Sequence, residues 1–234
     1  MSTAYSLSKA RLAIMRSGIL FGLITVGWPA GSAHASPPML TGSLTSQPIG
    51  HYEFCKANST ECTIRTRDLG PQHVTGTVWR KIIAINTRIN RSVRPITDID
   101  AYGRDEVWAY PNGHGDCEDY VLEKRRDLMR EGLSPSNLLI TVVRKRGGQG
   151  HAVLTVRTDK GDFILDNLTD AIRHWDQTGY DFLKRQSSDH PGSWVTIGER
   201  RNPIVSTLVV TPVAKQPSVF DPRVGKTIVR PTKR

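Results

Sequence analysis

Cysteine is scarce in this chain: three among 234 residues, Cys55, Cys62 and Cys117. So few cannot staple a fold of this length. A hydrophobic core must hold it, and the 38% apolar content is enough for one. Long apolar runs are lacking as well. The one such run, Ile19 to Trp28, falls short of the about 20 residues that span a bilayer. No later segment is a candidate to cross a membrane. Internal repeats are absent, which excludes a solenoid. Acidic residues are outnumbered, 22 against 32 basic, for a net charge of +10.

The placement of the apolar run carries information. Lys9, Arg11 and Arg16 precede it, Pro29 and Gly31 break it, and Ala33-His34-Ala35 follows. Basic, apolar and small-residue regions in that order form a secretory signal, with cleavage expected after Ala35. The mature protein is therefore expected to be periplasmic or secreted. Removing residues 1–35 takes away three basic residues and no acidic ones, leaving 29 against 22, or +7. Export argues against nucleic acid as the partner of that charge. An anionic envelope surface, an acidic protein substrate and plain solubility are the remaining readings.

Export also gives the cysteines meaning. Cys55 and Cys62 bracket a polar loop, and in an oxidising compartment they are expected to pair. Cys117 is then the odd thiol. It lies in Gly115-Asp116-Cys117-Glu118-Asp119-Tyr120, where the flanking acids argue against a merely buried hydrophobe. The lead-in, residues 36–70, is rich in Pro, Ser and Thr and reads as loosely structured. Val78, Ile82, Ile85 and Ile89 recur at helical spacing within 74–93, ended by Arg94-Pro95. Asn86 and Asn90 on that helix read as exposed polar positions. Ile96 to Asn112 reads as loop. A second helix is expected over Cys117–Glu131, with Val121, Leu122, Leu128 and Met129 inward and Gly132 ending it.

The period then changes. Leu138–Val143, His151–Arg157 and Asp162–Asp166 read as strands, the last two joined by the turn Thr158-Asp159-Lys160-Gly161. A hairpin there brings its open ends together, so His151 is expected to face Asp166. Cys117 at a helix N-terminus meets free backbone N–H groups, which favour the thiolate. Cysteine, histidine and aspartate are what a thiol hydrolase needs: a nucleophile, its base and a group that orients the base. The acids complicate this. A carboxylate about 6 Å away opposes ionisation of the sulfur by about 2–3 kcal/mol. A hard cation held by Asp116 and Glu118, with Asp119 a weaker candidate, would relieve that, and Ca²⁺ prefers such ligands. Neutralisation by Lys124, Arg125 and Arg126 is the alternative.

The same residues carry a family resemblance. Gly115-Asp116-Cys117-Glu118-Asp119-Tyr120, Gly150-His151-Ala152-Val153-Leu154 and Leu165-Asp166-Asn167, with Trp108-Ala109-Tyr110-Pro111 and the Asn86/Asn90 helix, resemble the bacterial transglutaminase-like cysteine proteinases. The likeness covers about residues 50–200. It implies an α+β, papain/transglutaminase-like fold, with the cysteine helix packed on an antiparallel sheet that bears His151 and Asp166. It implies a catalytic triad of Cys117, His151 and Asp166. LapG-type members are calcium-dependent and cleave large surface adhesins, which maps calcium onto Asp116 and Glu118. The partners suggested are a protein substrate, a large adhesin among the candidates, and a membrane-anchored regulator.

The expected layout is a signal peptide (1–35), the lead-in (36–70), a peptidase domain (71–210) and a basic, proline-containing tail (211–234). A strand over Val205–Val210 and disorder beyond Val213 are expected. The expected activity is that of an exported thiol endopeptidase acting on a cell-envelope or surface protein. A thioester-forming acyltransferase and a catalytically silent, calcium-responsive binding module are the alternatives. The Cys117 backbone N–H is expected to be one oxyanion donor, and Asn112 and His114 are candidates for the second.

Overall fold

The computed structural model describes residues 36–65 and 67–198, together with the strands at 219–221 and 226–228. The expected signal peptide and the Val205–Val210 strand lie outside the described residues. In chain order the elements are β1 (Thr41–Thr45), α1 (Ile49–Ala57), α2 (Ser59–Thr63), α3 (Gly76–Ser92), β2 (Arg94–Pro95), α4 (Asp98–Tyr102), β3 (His114–Gly115) and α5 (Cys117–Arg130). There follow β4 (Leu138–Arg144), β5 (Gly150–Thr158), β6 (Gly161–Leu165), β7 (Arg173–His174), β8 (Asp181–Gln186), β9 (Trp194–Ile197), β10 (Val219–Asp221) and β11 (Lys226–Ile228).

Seven strands form one sheet in the order β1-β9-β8-β4-β5-β6-β7, antiparallel throughout. This is an α+β fold with helices packed on an antiparallel sheet. Period-2 alternation sorts the strand side chains. Leu138, Ile140, Ala152, Leu154, Val156 and Leu165 join the core shared with Ile82, Ile85 and Ile89 of α3 and Val121, Leu122 and Leu128 of α5. Val143, Val153 and Ile164 join a second cluster with Met39, Trp175 and Ile197.

The two main helices end for identifiable reasons. Thr75 caps α3, its side chain accepting from Val78 N–H at 3.2 Å. Helix α5 stops at Gly132, whose φ of +93° suits glycine. Gly132 N–H donates to Met129 O at 3.0 Å and Leu133 N–H to Leu128 O at 3.1 Å, the paired bonds of a Schellman end. At its start, the Tyr120 hydroxyl donates to Val93 O at 2.6 Å and so ties the cysteine end of α5 to the exit of α3.

Several expectations are corrected. The lead-in is ordered: β1 adds to the sheet edge beside β9, and α1 and α2 carry the Cys55–Cys62 disulfide. Its small polar residues masked strand and helix because tertiary pairing and the cross-link, not periodicity, hold them. The 96–112 loop contains α4, whose Thr97 side chain accepts from Asp100 N–H at 3.2 Å. Strands β7, β8 and β9 extend the sheet beyond the three expected. Within the tail, β10 and β11 pair as an antiparallel ribbon where disorder was expected. Asn86 is fully buried and Asn90 half-buried; neither is an exposed polar position. Among the described residues, no helix is long and apolar enough to cross a membrane.

Candidate active site

The site forms where α5 begins, β5 begins and β6 ends. Gly115 precedes the helix because nothing larger fits: a Cβ there would come within 2.4 Å of Asp119 Oδ2. Asp116 occupies the N-cap position with extended backbone, but its side chain makes no capping bond. Cys117 is the first helical residue, half-buried and packed against the main core.

Cys117 and His151 line one open cleft of about 460 Å³, with Asp116, Pro95, Ile96 and Leu168 on its walls. Pairing of Leu154 with Leu165, carried onward, sets Asp166 across from Val153. His151 and Asp166 are therefore diagonal neighbours, not the face-to-face pair expected from the hairpin. The imidazole is long enough to close the diagonal, and His151 Nε2 lies 2.9 Å from Asp166 Oδ1. Nδ1 is thus the ring nitrogen left for other partners.

Asp166 is heavily held. Oδ1 also accepts from Leu168 N–H at 3.0 Å, and Oδ2 accepts from the Tyr180 hydroxyl at 2.6 Å. Its backbone carbonyl accepts from Asn90 Nδ2 at 2.9 Å. Burial alone raises this carboxyl. The hydrogen bonds from His151 and Tyr180, the charge of His151 and the Leu168 N–H outweigh it and hold Asp166 below the usual carboxylate range. The Tyr180 ring also meets His151 edge-on, with centroids 5.7 Å apart. Tyr180 and Asn90 escaped sequence reasoning because nothing local marks a tyrosine before one strand, or an asparagine on a distant helix, as neighbours of Asp166.

The thiol is turned elsewhere. Cys117 Sγ donates to Glu118 Oε2 at 2.9 Å. Burial, the Glu118 charge and the hydrogen bond to Glu118 push the thiol well up, against a small opposing pull from the Ala152 N–H. The helix start alone does not activate this sulfur.

One oxygen from each of Asp98, Asp116 and Glu118 lies within 4.8 Å of the others. Asp98 was not anticipated; α4 delivers it, and Val107 N–H anchors its Oδ2 at 2.6 Å. Asp119, the weaker candidate, is not in this cluster, because its Oδ1 turns away to accept from Ala109 N–H at 2.8 Å. Three ionised carboxylates so close repel by about 3 kcal/mol per pair at an effective dielectric near 20. Burial, then the charges of Glu118 and Asp98, raise Asp116 from 3.8 to about 8. Burial also raises Glu118 and Asp98. Asp116 Oδ1 is buried without a hydrogen-bond partner.

The nearby bases do not relieve this. Arg125 Nε donates to Leu138 O at 3.1 Å, and its guanidinium lies 3.6 Å from Glu61. Arg126 pairs with Glu123 and stacks 3.8 Å over the Tyr110 ring. Lys124 is buried against Tyr120. An all-carboxylate donor set with an orphaned buried oxygen fits a hard divalent cation. Asn112 and His114, suggested as oxyanion donors, are not among the residues lining the cleft.

The chain is similar to solved structures of Legionella pneumophila LapG. The calcium-bound form is 26% identical, over 52% of this chain and 72% of that one, with a TM-score of 0.45. A second LapG structure is 21% identical over 64% and 81%, with a TM-score of 0.44. The EGTA-treated form is 20% identical over 66% and 84%, also with a TM-score of 0.44. A search of curated proteins gave no match. The family described as bacterial transglutaminase-like cysteine proteinase (BTLCP) matches residues 41–202, more than half of the sequence, and the chain belongs to that family.

Proposed function

We propose that this protein is an exported thiol endopeptidase in which Cys117 is the nucleophile, His151 the general base and Asp166 the group that orients it. The observation that carries this reading is the His151–Asp166 hydrogen bond at 2.9 Å beside a cleft that Cys117 shares. With Nε2 engaged by Asp166, His151 Nδ1 receives the thiol proton as sulfur attacks the peptide carbonyl. His151 then returns that proton to the leaving amine, and the C–N bond breaks to give a thioester. Water, losing a proton to His151, hydrolyses the thioester and restores the thiol. Asp166, ionised and fixed by Tyr180 and Leu168 N–H, stabilises the imidazolium in between. The Cys117 backbone N–H serves as one oxyanion donor.

Calcium dependence belongs to the same proposal. Asp98, Asp116 and Glu118 are the residues that would hold the ion. It would supply positive charge where three acids surround the nucleophile. Support comes from the orphaned Asp116 oxygen and the hard-oxygen donor set; the calcium in the LapG structure is a property of that protein. The substrate we propose is a cell-envelope or surface protein, a large adhesin among the candidates, with a membrane-anchored regulator as a further partner.

The test is proteomics of the cell envelope with wild type and Cys117→Ala, looking for a fragment released only by the wild type. A cross-linked product without cleavage would turn the reading to acyl transfer. Absence of any Cys117-dependent product, together with failure of iodoacetamide to label Cys117 selectively, would overturn it. For the metal, calorimetric titration of calcium into chelator-treated protein is expected to show binding that Asp98→Asn and Asp116→Asn weaken. No heat at millimolar calcium would end the calcium reading.

A further inference from the structure

Strand β5 enters the site through Gly150-His151, and the fold does not require the glycine. Gly115 differs, because a Cβ there would meet Asp119. Gly147 and Gly148, in the turn before β5, have φ of +102° and +89°, which favour glycine. Gly150 is under neither constraint. Its φ lies outside the left-handed region, and a Cβ built on it meets nothing within 4 Å beyond its chain neighbours. A larger residue would suit a strand better, since glycine loses more chain entropy and packs nothing. An unforced glycine in a strand marks a place where a ligand or another backbone comes close.

The room over Gly150 belongs to the cleft. Leu154, Ala152 and Gly150 share one face of β5. Leu154 and Ala152 are buried in the core against which Cys117 packs. Gly150 is exposed and lines the cleft with Cys117 and His151. Side chains on that face thus shrink toward the nucleophile, and none fills the last position. The main chain is open there as well. Pairing of β5 with β4 runs to Gly150, opposite Arg144, whereas pairing with β6 stops at Leu154, opposite Leu165. Gln149 O accepts from Lys145 N–H at 2.9 Å, on the β4 side. By alternation, the N–H and C=O of Gly150 turn to the other side, which β6 does not reach. The Ala152 N–H acts on the Cys117 thiol from that same side. Past Asp166 the chain turns back, Leu168 N–H donating to Asp166 Oδ1 at 3.0 Å, and Asn167 and Leu168 line the cleft beyond.

We propose that Gly150 is the docking point for an extended segment of the protein substrate, which lies along the open edge of β5 and pairs with the Gly150 N–H and C=O in the manner of an added strand. This rests on the peptidase reading and deepens it. The substrate class is a stretch of polypeptide presented in extended form, not a folded surface. Main-chain bonds give the affinity, and the missing side chain lets the bound segment settle beside Cys117.

Gly150→Ala and Gly150→Val test this. Both are expected to fold with a melting temperature at or above wild type, since the fold leaves room for the side chain. Iodoacetamide, too small to need the edge, is expected to alkylate Cys117 at the wild-type rate in both. Release of the Cys117-dependent fragment from isolated cell envelopes is expected to slow at least about tenfold in Gly150→Val and less in Gly150→Ala, the loss appearing in kcat/KM. Fragment release at the wild-type rate in Gly150→Val overturns the inference. So does alkylation slowed as much as fragment release, which would make the glycine a support for His151. If neither variant folds, the fold needs the glycine and the inference falls. A synthetic peptide spanning the cleavage site of that fragment is expected to be cut by the wild type and to lose cleavage when one amide near the scissile bond is N-methylated. A peptide left uncut while the intact protein is cleaved, or cut whichever amide is methylated, overturns main-chain docking. A wild type that is alkylated but releases no fragment is a separate result: the peptidase reading fails, and the docking point falls with it.

Discussion

Glu118 serves two neighbours at once. It accepts the Cys117 thiol at 2.9 Å and contributes an oxygen to the acidic cluster. A group shared in this way couples the sulfur to whatever compensates the cluster. Cys117→Ala is expected to lower turnover at least about 10³-fold without altering the circular dichroism spectrum, since no residual nucleophile remains. The acids also give a pH dependence with a definite sign. In chelator, Asp116 is raised from 3.8 to about 8 and Asp119 from 3.8 to about 7, burial being the main cause of each. A folded-state pKa above the unfolded value means that proton binding stabilises the fold. That stability is complete below about pH 4 and is lost as pH rises through about 7 to 8. Thermal melts in EGTA are therefore expected to show a falling midpoint from pH 5 to 8.5. Asp116→Asn should flatten the fall; a midpoint that rises over that range contradicts the assignment.

At the scale of elements, the site is a meeting of ends. Helix α5 brings the sulfur, β5 the imidazole, the exit of β6 the carboxylate, and α4 the third acid. The segment entering β8 adds Tyr180, whose hydroxyl donates to Asp166 Oδ2 at 2.6 Å. Tyr180→Phe removes that bond but keeps the ring that meets His151. Losing one hydrogen bond to a charged group costs about 1.5–3 kcal/mol, so kcat should fall about 10- to 100-fold, with KM little changed. Steady-state kinetics on a released-fragment assay decides, and an unaltered kcat would show the hydroxyl to be dispensable. The helices α3 and α5 were legible because their apolar stripes and stop residues are local signals. The short helix α4 was not: five residues carry too little periodicity, and its worth lies in where it sets Asp98.

Across the whole molecule, the lead-in is cross-linked within itself and joined to the sheet by the pairing of β1 with β9. The Cys55–Cys62 bond closes a short loop across α1 and α2, and β1 lies at the sheet edge. Closing a loop of that size stabilises by about 2–3 kcal/mol through the unfolded chain. The double variant Cys55→Ser/Cys62→Ser should lose about that much in urea denaturation, while per-molecule activity at low temperature is retained. Thiol titration of the oxidised wild type is expected to find one free thiol, Cys117; three would remove the disulfide.

Three features were legible in the sequence alone: a helix within 74–93 and another over 117–131, observed at 76–92 and 117–130, a hairpin closed at residues 158–161, and a cysteine, a histidine and an aspartate each at the end of an element. Those features rest on local propensity and periodicity, which neighbours along the chain decide. Tertiary structure decided the rest: the diagonal reach of His151 to Asp166, the recruitment of Asp98 and release of Asp119, the thiol's bond to Glu118, and the burial of Lys124 and Asn86. Apart from the bond between the adjacent Cys117 and Glu118, these depend on distances between residues ten or more positions apart, and all depend on loss of water from polar groups. Only packing of the whole chain fixes either.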